Sequence, residues 1–324
     1  MGADYRHTGR EIHDVTYPWL KPIEDEFQER LAGERLAHAF LLQGPEDVGK
    51  QALATEFIAS MLCLENSFPA CGECRSCSLL ESGAHPDRHI LTFEEHPKKD
   101  ELRKEIVIEQ VRRLIASLQL TRSLSPRKAA LICPAEAMTI SAANALLKTL
   151  EEPPGDSVLI LVSHNPARLP ATIRSRCQNL NVRPPEASVS LEWLGKQCNA
   201  APDDAAIALE AAAGSPLRAL RMLEDGSTDQ YRLVSENLEG LRRRKFPAAR
   251  AMTARADVDP ALLWSWISLR AAAEVRAAVH SPSVFSGLSR LQSEADRNRG
   301  LVRTPVRNDL LLQDWLIQWS QLND

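Results

Sequence analysis

The string Gly44-Pro-Glu-Asp-Val-Gly49-Lys50 is the feature that most narrows what this chain can fold into. It fits G-x-x-x-x-G-K, a turn that has meaning only where a strand ends and a helix begins. There the N–H groups of the turn and of the helix start can converge on one phosphate. Both flanks are present. Ala39-Phe-Leu-Leu-Gln43 is an apolar run of strand length, and Lys50 to Cys63 sets Leu53, Phe57, Ile58 and Met61 on one helical face. Four further runs read as strands: His89 to Phe93, Ala129 to Cys133, Val158 to Ser163 and Asn179 to Val182. Between them, Ile108 to Leu120 is a helix with Val111, Leu114, Ile115 and Leu118 in period. A second helix, capped by Ser141, runs to Glu152 and is stopped by Pro153-Pro154. Apolar strands separated by helices predict a parallel sheet covered on both faces.

After Pro184-Pro185 the strand-like runs cease and Ala- and Leu-rich helical patterns continue, including Asp203 to Ala213, ended by Gly214. With 324 residues the chain has room for two or three domains. The expected division is an α/β domain over 1–185, a small helical domain over 186–227 and a larger helical domain over 228–324. Four of the six tryptophans (Trp264, Trp266, Trp315, Trp319) fall in the last quarter. The stripe Leu312, Trp315, Leu316, Trp319 and Leu322 suits either a buried core or contact with a neighbouring subunit. Residues 94–105, mixed in charge, read as a mobile loop. The net charge of −4 opposes a protein that coats nucleic acid. The one dense basic run, Arg242-Arg-Arg-Lys245, reads better as a solvated helix face than as a DNA-facing patch. No apolar run approaches the ~18 residues of a membrane span, and the start has no signal-peptide pattern, so a cytoplasmic location is expected.

The phosphate loop is incomplete. A working loop follows its lysine with Ser or Thr, whose hydroxyl binds Mg²⁺; here Gln51 follows Lys50. Asp47 sets a carboxylate inside a loop meant for anions. The metal-holding Asp and water-polarising Glu expected after Ala129–Cys133 are replaced by Pro134-Ala135, with Glu136 one residue further on and expected to point elsewhere. Two readings stand: Gly44, Gly49 and Lys50 still cradle a nucleotide such as ATP, or the glycines only permit a tight turn. Hydrolysis is not expected under either.

Cys63, Cys71, Cys74 and Cys77 give C-x₇-C-x₂-C-x₂-C. Four thiolates match a closed, tetrahedral structural Zn²⁺ site, and Gly72 lets the chain double back between ligands. His85 lies nearby but is superfluous as a ligand. The module spans 63–77, between the loop helix and the second strand. Cys133, Cys177 and Cys198 read as small, mostly buried hydrophobes.

Two further strings, Asn144-Ala-Leu-Leu-Lys-Thr-Leu-Glu-Glu-Pro-Pro154 and Thr172-Ile-Arg-Ser-Arg-Cys177, closely resemble signature segments of the clamp-loader ATPases of the AAA+ class. Tyr17-Pro-Trp-Leu20 resembles the start of a bacterial subunit of that group. The resemblance implies an AAA+ P-loop domain with an inserted zinc module, a helical lid domain and a C-terminal collar domain. It implies a stator in a hetero-pentamer with motor subunits of the tau/gamma type and the delta subunit. That assembly would load a sliding clamp onto primed DNA during replication, as part of a DNA polymerase III holoenzyme. It further implies that Arg176, of Ser-Arg-Cys, acts in trans on the ATP of a neighbouring subunit, with Arg174 more structural. The family's lid arginine is matched only loosely by Arg218, one residue late in Gly214-Ser-Pro-Leu-Arg218. Residues 1–16 precede the family's usual start. Two rivals are an active motor subunit and a zinc-containing nucleic-acid-binding module on a dead ATPase domain. The first predicts ATP hydrolysis by the pure chain; the second predicts salt-sensitive DNA affinity.

Overall fold

The computed structural model describes residues 17–33, 36–96, 102–243, 245, 258–302 and 304–322. The chain forms two compact units, Met1–Pro185 and Glu186–Asp324. In the first, strands β1 (Ala39–Gln43), β2 (Arg88–Leu91), β3 (Lys128–Ile132), β4 (Ser157–Ser163) and β5 (Gln178–Asn181) form one parallel sheet in the order β2-β3-β4-β1-β5. Leu41 of β1 stands between Leu161 and Asn179. Successive side chains face opposite sides, so each strand feeds two cores. Phe40, Leu42, Leu131, Ile160 and Val162 enter one; Leu41, Ile132, Leu159 and Leu161 enter the other.

The first face is covered by α1 (Lys21–Ala32), α2 (Lys50–Leu62) and α3 (Arg75–Glu81). Leu53, Phe57, Ile58 and Met61 of α2 are each at most 2% exposed, as their spacing predicted. Phe57 stacks on Phe27 with ring centroids 3.7 Å apart. Burying a side chain of this size contributes about 1.5–3 kcal/mol. The second face carries α4 (Ile108–Gln119), α5 (Ile140–Glu151) and α6 (Ala171–Arg174).

Three details differ from expectation. The cap of α5 is Thr139, whose hydroxyl accepts the Ala142 N–H, and not Ser141, which stands one residue inside the helix. Helix α3 carries no long apolar stripe and was not anticipated. The flanks of the expected loop 94–105 are paired: the Arg103 N–H donates to the Glu94 carbonyl at 2.8 Å, and Arg113 holds the Glu94 carboxylate at 2.6 Å. Residues 97–101 of that loop, like residues 1–16, lie outside the described residues.

The regular structure described in the second unit is all helical: α7 (Ala187–Gln197), α8 (Pro202–Ala211), α9 (Pro216–Asp225), α10 (Ser227–Arg242), α11 (Pro260–Ala277), α12 (Pro282–Leu301) and α13 (Asn308–Gln321). Helix α8 ends where left-handed Ala213 and Gly214 (φ 53° and 79°) return their N–H groups to Glu210 and Leu209. The tryptophan stripe is core. Trp315 stacks on Trp319 at 5.0 Å, Trp264 meets Trp315 edge-on, and all three are at most 1% exposed. Their polar edges are satisfied inside: the Trp315 and Trp319 indole N–H groups donate to the Leu291 and Leu238 carbonyls, both at 2.9 Å. The basic run divides. Arg243 is exposed and pairs with Glu239 along α10, whereas Arg242 turns inward to Glu274 and lies over the Trp319 ring. Arg242 is therefore part of the wall of the core and not a solvated face; Arg244 lies outside the described residues.

Candidate functional site

Because the sheet is parallel, the turns that follow β1, β3, β4 and β5 gather at one edge, the usual place for a ligand in an open α/β sheet. Gly44 leaves β1 with φ 151°, and a Cβ there would lie 1.9 Å from the Val182 carbonyl oxygen. No side chain fits. Asp47 (φ 61°) and Gly49 (φ 90°) complete a strained turn that delivers the chain into α2. Tyr17-Pro-Trp-Leu20 braces it from outside. The Trp19 indole N–H donates to the Val48 carbonyl at 2.9 Å, and a Cβ on Gly49 would touch Leu20 and the Tyr17 ring at 3.0 and 3.2 Å.

Lys50 is 2% exposed, and its ammonium donates to the Pro45 carbonyl of its own loop. Burial pulls its pKa down to about 8, against the nearby charges of Glu136, Glu46 and Asp47. The lysine that would reach toward phosphates is thus folded back on the turn. Gln51, beside it, offers an amide and no hydroxyl. Glu136 sits in the short turn after β3, where one carboxylate oxygen accepts the N–H groups of His164 (2.9 Å) and Asn165 (3.1 Å). It is occupied in holding the end of β4, while its charge still acts on Lys50. His164 is a member of this cluster that the sequence did not mark. Burial and the Lys50 charge lower its pKa, which keeps the imidazole neutral. Its position straight after an apolar strand was the one available signal.

At the other end of α2 the four cysteines come together. Cys63 caps the helix, Cys74 caps α3, and Cys71 and Cys77 complete the set, with all four sulfurs within 4.8 Å of one another. The Sγ–Sγ separations are 3.5 Å (Cys74–Cys77), 3.9 Å (Cys71–Cys77) and 4.0 Å (Cys63–Cys74). Disulfides require ~2.05 Å. A tetrahedral thiolate ion with bonds of ~2.3 Å spaces its sulfurs about 3.8 Å apart. The donors therefore fit one metal ion. Gly72 turns the chain between ligands at φ 76°. Burial alone would raise the Cys63 thiol, but N–H groups of Cys71 and Glu65 and the Ser67 hydroxyl bring it down to about 6, toward the thiolate a metal needs. Cys77 is pushed up, by burial and by its sulfur neighbours.

His85 is not a ligand. Its Nδ1 accepts the Asp87 N–H at 3.1 Å, which leaves the proton on Nε2, facing the Ser76 and Ser125 hydroxyls at 2.9 and 3.1 Å. Both hydroxyls donate to the Leu62 carbonyl at 2.7 Å, so the histidine fastens the base of the cysteine module. Asp87, fully buried, accepts the N–H groups of residues 123–125 at 2.8–2.9 Å.

Arg176 follows α6 on the way into β5. Cys177 is buried behind it, its thiol raised to about 12 by that burial, while Ser175 is exposed in front. The guanidinium is anchored on its own chain. Nε–H donates to Glu151 Oε1 at 2.7 Å, Nη2 meets the same oxygen, and Nη1 donates to the Thr172 carbonyl at 2.9 Å. Glu151 went unmarked in the sequence, although it lies within the Asn144–Pro154 string. Arg174 is exposed. Arg218 stands in the first turn of α9, in the second unit. Cys133 is buried, and Cys198, half-buried, bonds to the Leu194 carbonyl. No helix among the described residues is long and apolar enough to cross a membrane.

The family model described as "DNA polymerase III, delta subunit" matches residues 20–186. The DNA polymerase III subunit delta' of Pseudomonas aeruginosa is 36% identical over 94% of this chain and 98% of its own length. The subunit of the same name from Escherichia coli is 34% identical over 64% of this chain and 61% of its own. Among solved structures, a DNA polymerase III gamma subunit-related protein from Thermotoga maritima aligns with 94% of this chain and 99% of its own, at 18% identity and a TM-score of 0.47. With a family model over half of its length and a relative matched nearly end to end, the chain belongs to the delta' family of DNA polymerase III clamp-loader subunits.

Proposed function

We propose that this subunit is the non-hydrolysing stator of its clamp loader and contributes to ATP chemistry only through Arg176, placed against the nucleotide of a neighbouring motor subunit. The observation that carries the reading is the state of Lys50: buried, with its charge spent on the Pro45 carbonyl, next to a Gln where a metal-binding hydroxyl would stand. Phosphoryl transfer depends almost wholly on positioned charge and metal. With the lysine turned inward and Pro134-Ala135 at the end of β3, the loop supplies neither. Arg176, in contrast, is one-third exposed and fixed in direction, which suits a guanidinium acting across an interface.

In this reading the four cysteines hold Zn²⁺. The closed S₄ set has no open coordination position, so the ion is structural. The second unit serves as lid (186–227) and collar (228–324). The partners are motor subunits and the delta subunit in a hetero-pentamer that opens the sliding clamp for primed DNA, within the cytoplasm. The test is reconstitution with the motor and delta subunits. Arg176→Ala is expected to lower clamp- and DNA-stimulated ATP hydrolysis by roughly 10³-fold or more at the site it serves, within the range of trans-acting arginines. Unchanged hydrolysis would remove Arg176 from the mechanism.

A further inference from the structure

A trans-acting arginine must meet its phosphate with little further ordering, because every rotamer fixed at the interface subtracts from transition-state stabilisation. The side chain has several rotatable bonds and, left free, would sample many directions. Here it does not swing free. Of its five N–H donors, Nε–H and one on Nη2 are committed to Glu151, and one on Nη1 to the Thr172 carbonyl. One N–H on each terminal nitrogen is left to donate, in the plane of a guanidinium whose orientation is already set.

Glu151 is itself firmly placed. It is the last residue of α5, whose Leu146 and Leu150 are fully buried against the sheet, and Pro153-Pro154 follow closely. The arginine side is equally fixed, by Ile173 at 0% and Cys177 at 7% exposure. A carboxylate in the last turn of a helix opposes the helix dipole, so local helix preference does not favour Glu at this position. Its geometry serves the arginine instead.

We propose that Glu151 is the positioning residue of Arg176. It holds the guanidinium by its Nε/Nη2 side, so that the remaining two donors face the neighbouring nucleotide. It stays bound when the arginine acts and does not park the arginine until release. The inference rests on the trans-arginine reading above, and the experiment separates the two.

In the reconstituted loader, stimulated ATP hydrolysis is compared for wild type, Glu151→Gln, Glu151→Asp, Arg176→Ala and the Glu151→Gln/Arg176→Ala double variant, with thermal melting as the check on folding. Loss of one orienting contact to a partly exposed group is expected to lower kcat about three- to ten-fold with KM for ATP within about two-fold. Asp, which keeps the charge but is shorter, should fall between Gln and wild type. In the Arg176→Ala background, Glu151→Gln should have no further effect, because a positioning residue has nothing left to position. If Arg176→Ala lowers the rate but Glu151→Gln leaves it at wild type, or lowers it equally in both backgrounds, the positioning role is wrong and the trans-arginine reading stands. A rate increase with Glu151→Gln would show that the carboxylate restrains the arginine, and would overturn the proposal. If Arg176→Ala has no effect, both readings fail together.

Discussion

Helix α2 begins at a phosphate loop and ends at a four-cysteine module, and the two ends have fared differently. At the N-terminal end the backbone path of the loop is intact, down to a glycine that tolerates no Cβ, yet the chemical groups are absent or turned inward. At the C-terminal end the backbone is irregular, but every donor atom is in place and their spacing fits one ion. A turn packed against its neighbours is kept by steric fit whether or not a ligand ever enters. Four thiols converging within 4.8 Å, by contrast, gain most from an ion that all of them can bind. Under the proposed function the loop is a scaffold element and the cysteine module a binding site.

The contrast predicts that the largest effect lies at the cysteine end. Removing the metal with a strong chelator, or replacing Cys74 by Ser, should lower stability by about 3–6 kcal/mol. That is only part of the ~10–16 kcal/mol zinc binding can supply, because the Ser76–His85–Ser125 contacts to Leu62 remain. Calorimetry with metal analysis checks this. The holo chain should carry one zinc, and a melting temperature indifferent to chelation would make the two ends of α2 alike.

Next in size is Gly44→Ala. Its Cβ would meet a backbone oxygen that cannot rotate away, so the loop or the end of β5 must shift, at a cost of about 2–4 kcal/mol in denaturant unfolding. A loss below about 0.5 kcal/mol, the range of neutral surface changes, would mean that the turn is not held by packing.

Smaller, and of opposite sign to what a working loop would show, is Lys50→Met. A base whose pKa is lowered in the folded state binds fewer protons there than in the unfolded chain. Stability should therefore rise as pH increases from about 8 toward the ordinary lysine value of ~10.4. Removing the buried charge should stabilise the chain by about 1–2 kcal/mol at pH 7, and that part of the pH dependence should vanish. Destabilisation of similar size would show that the ammonium–Pro45 contact is a net contributor.

The strands, helix α2 and the clustering of the four cysteines were legible in the sequence because each depends on local period or spacing. What periodicity could not show were contacts between residues far apart in the chain. Trp19 finds the Val48 carbonyl 29 positions away, and Arg176 finds Glu151 25 positions away. Glu136 was correctly seen as displaced from the strand end, but its attachment to the start of the next turn, at His164 and Asn165, depends on two strands lying side by side. Thr139 displaced Ser141 as the cap because the backbone bonds of Ile106 fix where α5 begins, a constraint no capping preference contains. The aromatic stripe of α13 was equally compatible with core and interface until Trp264 and Leu238 were seen to cover it.

Under the proposed function the chain's own loop neither holds nor hydrolyses nucleotide, while Arg176 acts on a neighbour's ATP. Titration calorimetry of the zinc-loaded chain with Mg²⁺–ATP tests the first half most directly, with a hydrolysis assay on the same sample. No saturable heat and no phosphate release above the blank are expected, and Gln51→Thr should restore neither while Pro134-Ala135 remain. One-to-one, Mg²⁺-dependent binding that is lost in Lys50→Met would contradict this reading.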